Sequence, residues 1–244
     1  MALVSRHWSA KHPGVVQGIN LISLVWTDRE CRLPCDSRLF HKAKDGMSKN
    51  DHFQHRTGLT TRFEPELVVF DSWYSGLPNL KQLRKLKWNW LTQLKSNREV
   101  SIDRSGNRAI REIFIPARGR VVHLKGYGWI KVFRTVGTHG YAEYWATSHL
   151  EMNIEDAACH ALDAWQIEVY HRGLKQFTGI EKSQHRQETP QRNHIGLALR
   201  AFLRLEVHRL RTGISLFEAK ANIIRDAIRS YLADPDYTLS VSTA

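Results

Sequence analysis

Asp71 is an acidic residue that directly follows a short apolar run, Leu67 to Phe70. Four apolar residues after Pro65 predict a strand that is buried on both faces of an α/β sheet. Because open α/β sheets hold their chemistry at the carboxyl ends of strands, a metal ligand or general base at Asp71 would be well placed. The alternative is that Asp71 only begins the turn into the next helix, since Asp is a common turn residue.

Glu168 lies in a second stretch of interest, a predicted helix that contains residues 165–175. On the helical period of about 3.6 residues, Glu168, Arg172 and Lys175 fall at positions i, i+4 and i+7 and share one face. A plain surface pair of Glu168 with Arg172 is the alternative interpretation, because such pairs are common and stabilise helices by about 0.2–0.5 kcal/mol.

The two stretches together resemble the DDE transposases of bacterial insertion sequences. Residues 70–74, Phe-Asp-Ser-Trp-Tyr, are similar to the second-Asp motif of that family. The spacing of Glu168 and Lys175, with six residues between them, matches the family's glutamate motif. The resemblance runs over nearly the whole chain. It implies an α/β fold: a ribonuclease-H-like mixed sheet flanked by helices, interrupted by a β-rich insertion before the catalytic Glu.

The resemblance also implies a reaction, metal-dependent cleavage of DNA strands followed by strand transfer. Asp71 and Glu168 would be metal ligands and, with Lys175, catalytic residues, while Lys175 and Arg172 would bind a phosphate beside the cleaved bond. Such chemistry uses two divalent cations about 3.5–4 Å apart, and Mg²⁺ or Mn²⁺ prefers oxygen ligands. The implied partner is double-stranded DNA, both transposon ends and target, and a homodimer in a synaptic complex is left open.

The family's first catalytic Asp has no clear counterpart in this chain. The family places it on a central first strand, before the hairpin that begins here near Val15, and residues 1–12 contain no acid. Asp28, Asp36 and Asp45 follow in turn-like contexts, and Asp28 is the first to try if another acid completes the site. We therefore expect an N-terminally truncated transposase that lacks the first strand, inactive and poorly stable as it stands.

Two alternatives to an active enzyme stay open at this point. One is a catalytically inactive, truncated transposase that only binds DNA, and the other is an unrelated basic DNA-binding protein. The strong positive charge of the chain agrees with both alternatives: 36 Lys and Arg against 24 Asp and Glu give a formal net charge of +12. Such an excess attracts phosphate backbones or anionic membranes.

Other features of composition place the chain in the cytoplasm. No run of 18 apolar residues exists to span a membrane, and the first residues lack the order of a signal peptide. The odd count of three cysteines fits a reducing compartment rather than a disulfide framework. A zinc site at Cys31, Cys35 and the Cys159-His160 pair is disfavoured, because Pro34 lies inside the first pair and no second pair has the spacing of a zinc finger.

Basic residues near Asp71 and on a later helix are the candidate DNA contacts. No acid occurs between Asp71 and Glu99, whereas that segment contains six cations: Lys81, Arg84, Lys85, Lys87, Lys95 and Arg98. Among these we select Lys81, Arg84 and Lys85 as phosphate contacts, and we expect Trp73, Trp88 and Trp90 to lie in the core. Arg200 and Arg204, on one face with His208 and Arg211, are further candidates, with plain solubility as an equal alternative.

The predicted elements follow from hydrophobic periodicity and turn residues. Strands are expected over residues 15–26, 32–40, 67–70 and 88–94, with helices over 51–62 and after Asp71. Residues 99–149 predict a β-meander with strands at 113–115, 121–122, 129–133 and 141–145. A long helix from Asn153 would bury Leu162, Trp165 and Val169, a helix over 191–211 would bury Ile195, Ala198, Phe202 and Leu205, and a last helix over 215–232 would pack through Phe217, Ile224 and Ile228.

These elements predict four regions along the chain. Residues 1–98 would form the first part of a catalytic ribonuclease-H-like core and residues 99–150 the β-rich insertion. Residues 151–232 would supply the second part of the core with the C-terminal helices, and residues 233–244 a tail.

Overall fold

The structure is a computed structural model that describes residues 1–9, 13–41, 43–59, 64–137 and 140–235. Its helices are α1 (Lys49–Leu59), α2 (Leu77–Lys85), α3 (Ile154–Ala164), α4 (Gln166–Thr178), α5 (Glu188–Thr212) and α6 (Leu216–Ala233). Its strands are β1 (Ser5–Ser9), β2 (Gly14–Gly18), β3 (Asn20–Thr27), β4 (Arg32–Phe40), β5 (Val68–Phe70), β6 (Trp90–Leu94), β7 (Glu99–Ser101), β8 (Arg108–Ala109), β9 (Arg120–Leu124), β10 (Gly128–Val136) and β11 (Ala142–Thr147).

The chain divides into two compact units. The sheet unit comprises Asn20–Ile22 and Arg38–Gln166, and the helical unit comprises Met1–Ile19, Ser23–Ser37 and Ile167–Ala244. No helix in the described ranges is both long and apolar enough to cross a membrane.

The sheet unit is built on seven strands in the order β5-β6-β11-β10-β9-β7-β8. Strands β5 and β6 run parallel, and every other neighbouring pair in this sheet is antiparallel. β5 stands at one edge of the sheet. Its carboxyl end is therefore bordered by only one strand of the described chain, β6.

Successive side chains of its strands point to opposite faces of this sheet. Apolar side chains on both faces are covered by helices. On one face, Leu80 and Leu83 of α2 pack in a core with Trp90 and Val132. On the other face, Ala157 of α3 packs with residues that include Leu91 of β6 and Phe133 of β10. The mixed α/β class predicted from sequence is thus confirmed, and the arrangement is compatible with a ribonuclease-H-like transposase fold.

The predicted meander is present in part. Strands β9, β10 and β11 form where short apolar runs alternate with turns, but residues 113–115 are not a strand. Ile113 and Ile115 are nevertheless buried. The alternation of apolar residues there reflects burial without strand pairing, and Pro116 has no N–H to donate to a ladder. β11, which lies in the predicted insertion, pairs with β6, which lies before it. Strands from both regions therefore belong to one sheet, and the insertion boundary between residues 98 and 99 stays a prediction.

In the helical unit, α5 is the central element. Its residues Ile195, Ala198, Phe202 and Leu205 are buried, as the sequence periodicity predicts. Buried Gln191 accepts a hydrogen bond from the backbone N–H of Leu3 at 3.0 Å. Buried Glu206 accepts one from the backbone N–H of Arg32 at 3.0 Å and pairs with Arg209. These bonds connect α5 to segments that are 188 and 174 residues away along the chain.

The N-terminal strands differ from the prediction. The run over residues 15–26 is interrupted at Ile19, so that β2 pairs with β1 and β3 pairs with β4. The hairpin predicted from residues 15–40 is therefore confirmed in its second half, β3 with β4. β1, which pairs antiparallel with β2, was not predicted.

Two predicted apolar stripes are wrong. The long helix from Asn153 ends at Ala164, and α4 begins at Gln166. Because the helix breaks there, the predicted inner stripe does not continue: Leu162 and Trp165 are 72% and 56% exposed, and Val169 is partly buried.

The stripe of α6 is also wrong. Phe217 is 75% exposed, and Ile224 and Ile228 are about half exposed, whereas Ala219 is the buried residue of α6. A helical period shows which residues share a face, but it does not supply a partner for that face. From residue 236 onward, the predicted tail lies outside the described residues.

Candidate active site

Asp71 follows β5 directly, at the carboxyl end of the strand. Its Oδ1 accepts hydrogen bonds from the backbone N–H of Trp73 at 2.8 Å and from the hydroxyl of Ser72 at 3.1 Å. Asp71 is therefore the N-cap of a one-turn 3-10 helix, Ser72–Tyr74, so the turn interpretation holds for this oxygen. The side chain is exposed, and Oδ2 accepts no hydrogen bond within the described part of the chain.

Buried polar contacts hold the backbone on both sides of Asp71. The hydroxyl of Thr92 donates to the carbonyl of Phe70 at 2.7 Å. The side-chain amide of Asn79, which is 1% exposed, donates to the carbonyl of Tyr74 at 2.9 Å and itself accepts from Gln54 at 2.9 Å. These contacts position the turn that carries the carboxylate.

Aromatic packing adds to this support. The ring of Phe53 stacks on Tyr74 and meets Phe70 edge to face, both at 5.3 Å between centroids. Burial raises the pKa of Tyr74, so its phenol stays protonated well above neutral pH. Trp73 is 64% exposed beside Asp71, contrary to the prediction that it lies in the core, whereas Trp90 is fully buried.

Glu168 lies in the first turn of α4 and is exposed. A negative charge at a helix N-terminus is favourable because the helix dipole is positive there. Arg172 is exposed one turn further along, yet no ion pair joins the two side chains in the described structure. The surface-pair interpretation of Glu168 is therefore not supported, and its carboxylate faces solvent without a charge partner among the described residues.

The orientation of α4 follows from its opposite face. Tyr170, Gly173 and Leu174 are buried, and the ring of Tyr170 meets Phe202 of α5 edge to face at 5.0 Å. Gly173 allows close approach, because a Cβ there would lie 2.8 Å from the Phe202 ring. With this face against α5, Glu168, Arg172 and Lys175 point outward together, as the predicted spacing requires.

Lys175 has a partner that sequence reasoning missed. Its Nζ lies 2.6 Å from Oε1 of Glu181, and both side chains are more than half exposed. An exposed pair of this kind contributes about 0–1 kcal/mol, so Glu181 opposes an incoming phosphate only weakly. The short separation of the two residues was the only signal in the sequence, and the 3-10 turn Ile180–Lys182 is what brings Glu181 back to Lys175.

His171 is a second residue that sequence reasoning did not select. Its Nε2 lies 3.2 Å from the hydroxyl of Ser23. Burial lowers the pKa of His171, the charge of Glu168 opposes this shift, and that of Lys175 adds to it. The His171 side chain is therefore a neutral imidazole at neutral pH.

The predicted DNA contacts fall into two groups. Lys81 and Lys85 on α2 are exposed, as are Arg200 and Arg204 on α5. Arg84 is exposed as well, but it also lies over the Tyr127 ring at 4.8 Å and donates a hydrogen bond to the carbonyl of Tyr127. This contact ties α2 to the turn between β9 and β10, so Arg84 has a structural task in addition to its charge.

Asp28, the proposed substitute for the first catalytic Asp, stabilises a turn through its side chain. Its Oδ1 accepts from the backbone N–H groups of Glu30 and Cys31, at 3.1 and 2.9 Å. The hydrogen bond from the Cys31 backbone is the main cause that lowers the pKa of Asp28. Within the described residues, no three His, Cys, Asp or Glu side chains lie close enough together to hold a metal ion.

The donor chemistry of the two predicted carboxylates nevertheless fits a hard divalent cation. Mg²⁺ and Mn²⁺ take carboxylate oxygens and water, and Oδ2 of Asp71 and both oxygens of Glu168 have no competing partner in the described structure. Asp71 belongs to the sheet unit and Glu168 to the helical unit.

A family model described as "Transposase DDE domain" matches residues 36–204, more than half of the chain. The matched range includes Asp71, Glu168 and Lys175. A search of curated proteins finds no match. On the strength of the family model, this chain belongs to the family of transposases with a DDE domain.

Proposed function

We propose that this transposase cleaves DNA strands and transfers them, with Asp71 and Glu168 as metal ligands. The proposal is best supported by the exposure, the position and the available oxygens of the two carboxylates. Each is exposed, each stands where the family motif expects an acid, and each offers oxygens without a partner in the described structure. Transposases of this family use divalent metal ions, and Mg²⁺ or Mn²⁺, two ions in a complete site, is the proposed cofactor.

We assign a separate role to each residue that presents or positions a carboxylate. Asp71 presents Oδ2 while Oδ1 keeps the turn in place, and Thr92 and Asn79 hold the backbone that aims it. Glu168 presents its carboxylate from the first turn of α4. The divalent cations would activate the attacking oxygen and stabilise the leaving oxygen of an in-line displacement.

Lys175 and Arg172, on the same helix face as Glu168, are the proposed phosphate ligands. Lys175 exchanges its contact with Glu181 for a DNA phosphate, and Arg172 is exposed on the same face. Charge-assisted bonds to phosphate are stronger than exposed surface pairs, which favours the exchange. Double-stranded DNA is the proposed partner, and its phosphate contacts are Lys81, Arg84, Lys85, Arg200 and Arg204. The homodimer and the cytoplasmic location stay predictions.

The proposal is tested with Mn²⁺ and with DNA in parallel. Asp71→Asn and Glu168→Gln should each weaken Mn²⁺ binding, seen as loss of paramagnetic broadening in NMR spectra, and should abolish metal-dependent nicking of a duplex. Both substitutions keep shape and remove charge. Matched controls are Asp103→Asn, whose Oδ1 caps a turn in the same manner, and Glu155→Gln, an exposed acid in the first turn of α3.

Three results separate the alternatives. Mn²⁺ binding and nicking that survive both test substitutions would remove Asp71 and Glu168 from the site. DNA binding without nicking in the unsubstituted chain would favour a catalytically inactive transposase that only binds DNA. Loss of nicking in the control variants as well would show that net charge, and not these two carboxylates, is responsible.

A further inference from the structure

The sheet unit contains a cavity of about 690 Å³ next to the turn that carries Asp71. Ser72 and Gly76 line it on one side, residues from the turn between β6 and β7 and from the turn between β9 and β10 line the other, and the cavity opens to the surface. The volume lies within the range of about 300–1,000 Å³ typical of small-molecule sites. The cavity is therefore large enough for a nucleotide.

The charged lining of the cavity is mainly cationic. Lys95, Arg98 and Lys125 line it together with one acid, Glu99. Glu99 lies 3.3 Å from Lys125, and both side chains are largely exposed. The side chain of Lys95 has no partner in the described structure, so the cavity keeps positive charge that neither Glu99 nor any other lining residue neutralises.

Arg98 is the most constrained of these cations. It is half-buried, and its hydrogen bond to the chain is long: Nη2 donates to the carbonyl of Ser75 at 3.4 Å. Burial lowers the pKa of Arg98, because the guanidinium has lost water without gaining an acidic partner. A half-buried cation without an acidic partner is stabilised by an anion that enters the cavity.

The start of α2 adds to this field. Gly76 and Leu77 line the cavity, and Gly76 is the N-cap of α2 without a side chain that caps the first N–H groups. The N-terminus of a helix carries partial positive charge and N–H groups without a helical partner, although Pro78 in this first turn has no N–H to offer. Lysine, arginine and helix end thus converge on one cavity, and each favours an anion.

We propose that this cavity binds a nucleotide of the DNA strand through its phosphate, with Lys95 and Arg98 as the phosphate ligands. This inference rests on the proposed function, since it names a substrate contact beside Asp71. Lys125 is the third cation. It can bind the phosphate when it releases its ion pair with Glu99. Asn97 and Glu99, which also line the cavity, supply acceptors for donors on the sugar or base.

The test uses thymidine 5′-monophosphate and thymidine as probes, titrated into the full chain without metal and followed by NMR or calorimetry. The nucleotide should bind and the nucleoside should not. Lys95→Gln and Arg98→Gln should each weaken nucleotide binding about tenfold, the loss of one charge-assisted hydrogen bond. Lys95 is exposed, so its variant should fold even if the Arg98 variant is destabilised.

Arg118→Gln is the matched control, because Arg118 is exposed and does not line the cavity. Nucleotide binding within about twofold of the unsubstituted chain in this variant, with the loss confined to Lys95→Gln and Arg98→Gln, supports the site. An equal loss in all three variants, or equal binding of thymidine, overturns it. Because this assay needs neither metal nor cleavage, failure here leaves the nicking result of the proposed function intact.

Discussion

Asp71 uses its two carboxylate oxygens for two different purposes. Oδ1 caps the turn and Oδ2 stays available, so one residue provides local structure and chemistry at once. Glu168 differs, because α4 is held by its buried face and does not depend on that side chain. The consequences of replacing the two acids should therefore differ in stability even if they agree in activity.

Asp71→Asn should leave the free energy of unfolding nearly unchanged, since the amide oxygen still accepts from the backbone N–H of Trp73. Asp71→Ala removes the cap and should cost about 1 kcal/mol. Urea denaturation of both variants measures the difference. The same loss in Asn and Ala variants would show that the charge, and not the cap, stabilises the turn.

The pKa of His171 responds to the charges of Glu168 and Lys175, which lie on the face of α4 that we propose binds phosphate. Its pKa is lowered by burial and raised by Glu168, so Glu168→Gln should lower the pKa further, while Lys175→Met should raise it. NMR titration of the His171 ring measures both shifts. Glu155→Gln is the control and should leave the pKa unchanged, because Glu155 is not among the charges that shift the pKa of His171.

The lowered pKa of His171 also predicts how stability depends on pH. The unfolded chain binds a proton near the ordinary His value of about 6.5, and the folded chain does so only at lower pH. The stabilising contribution is therefore complete above that value and is lost as pH falls toward the folded pKa. His171→Gln should remove this part of the pH dependence, and an unchanged stability profile would contradict the assignment.

At the scale of elements, the contact between α4 and α5 decides where Glu168 points. Gly173→Ala would place a Cβ 2.8 Å from the Phe202 ring, and such overpacking typically costs about 1–3 kcal/mol. The better helix propensity of Ala returns up to about 1 kcal/mol. We expect a net loss of stability, measured by thermal or urea unfolding.

Gly196→Ala is the matched control for this prediction. Gly196 also lies inside a helix, α5, but a Cβ there meets nothing within 4 Å. The substitution should therefore stabilise the protein by about 0.4–1 kcal/mol. Equal changes at Gly173 and Gly196 would show that α4 does not rely on close approach to Phe202.

For the whole molecule, the net charge of +12 predicts that DNA affinity falls steeply with salt. The combined change of Lys81, Arg84 and Lys85 to Ala should flatten the plot of log affinity against log salt concentration, by about 0.9 for each phosphate that the variant no longer neutralises. Fluorescence anisotropy with a labelled duplex measures the slope. An affinity that does not change with salt would contradict phosphate binding.

Single substitutions separate the two tasks of this cluster. Lys81→Ala and Lys85→Ala should flatten the slope without loss of stability, because both side chains are exposed. Arg84→Ala should also lower the free energy of unfolding, since it breaks the contact with Tyr127. A change in stability for all three would assign the whole cluster to structure.

The sequence by itself determined features that depend on near neighbours along the chain. Asp71 at a strand end and the shared face of Glu168, Arg172 and Lys175 both follow from local backbone geometry, the apolar run before Asp71 and the helical period. The buried stripe of α5 was predictable for the same reason, and it is continuous over a long, uninterrupted helix.

Only the tertiary structure decided which faces have partners. The stripe of α6 has the same periodicity as that of α5, yet Phe217 stays exposed, because periodicity describes one helix and burial requires two surfaces. The contact of Arg84 with Tyr127 and the cavity around Arg98 join segments that are distant in sequence. No local pattern encodes such contacts, since they arise only when the sheet brings separate turns together.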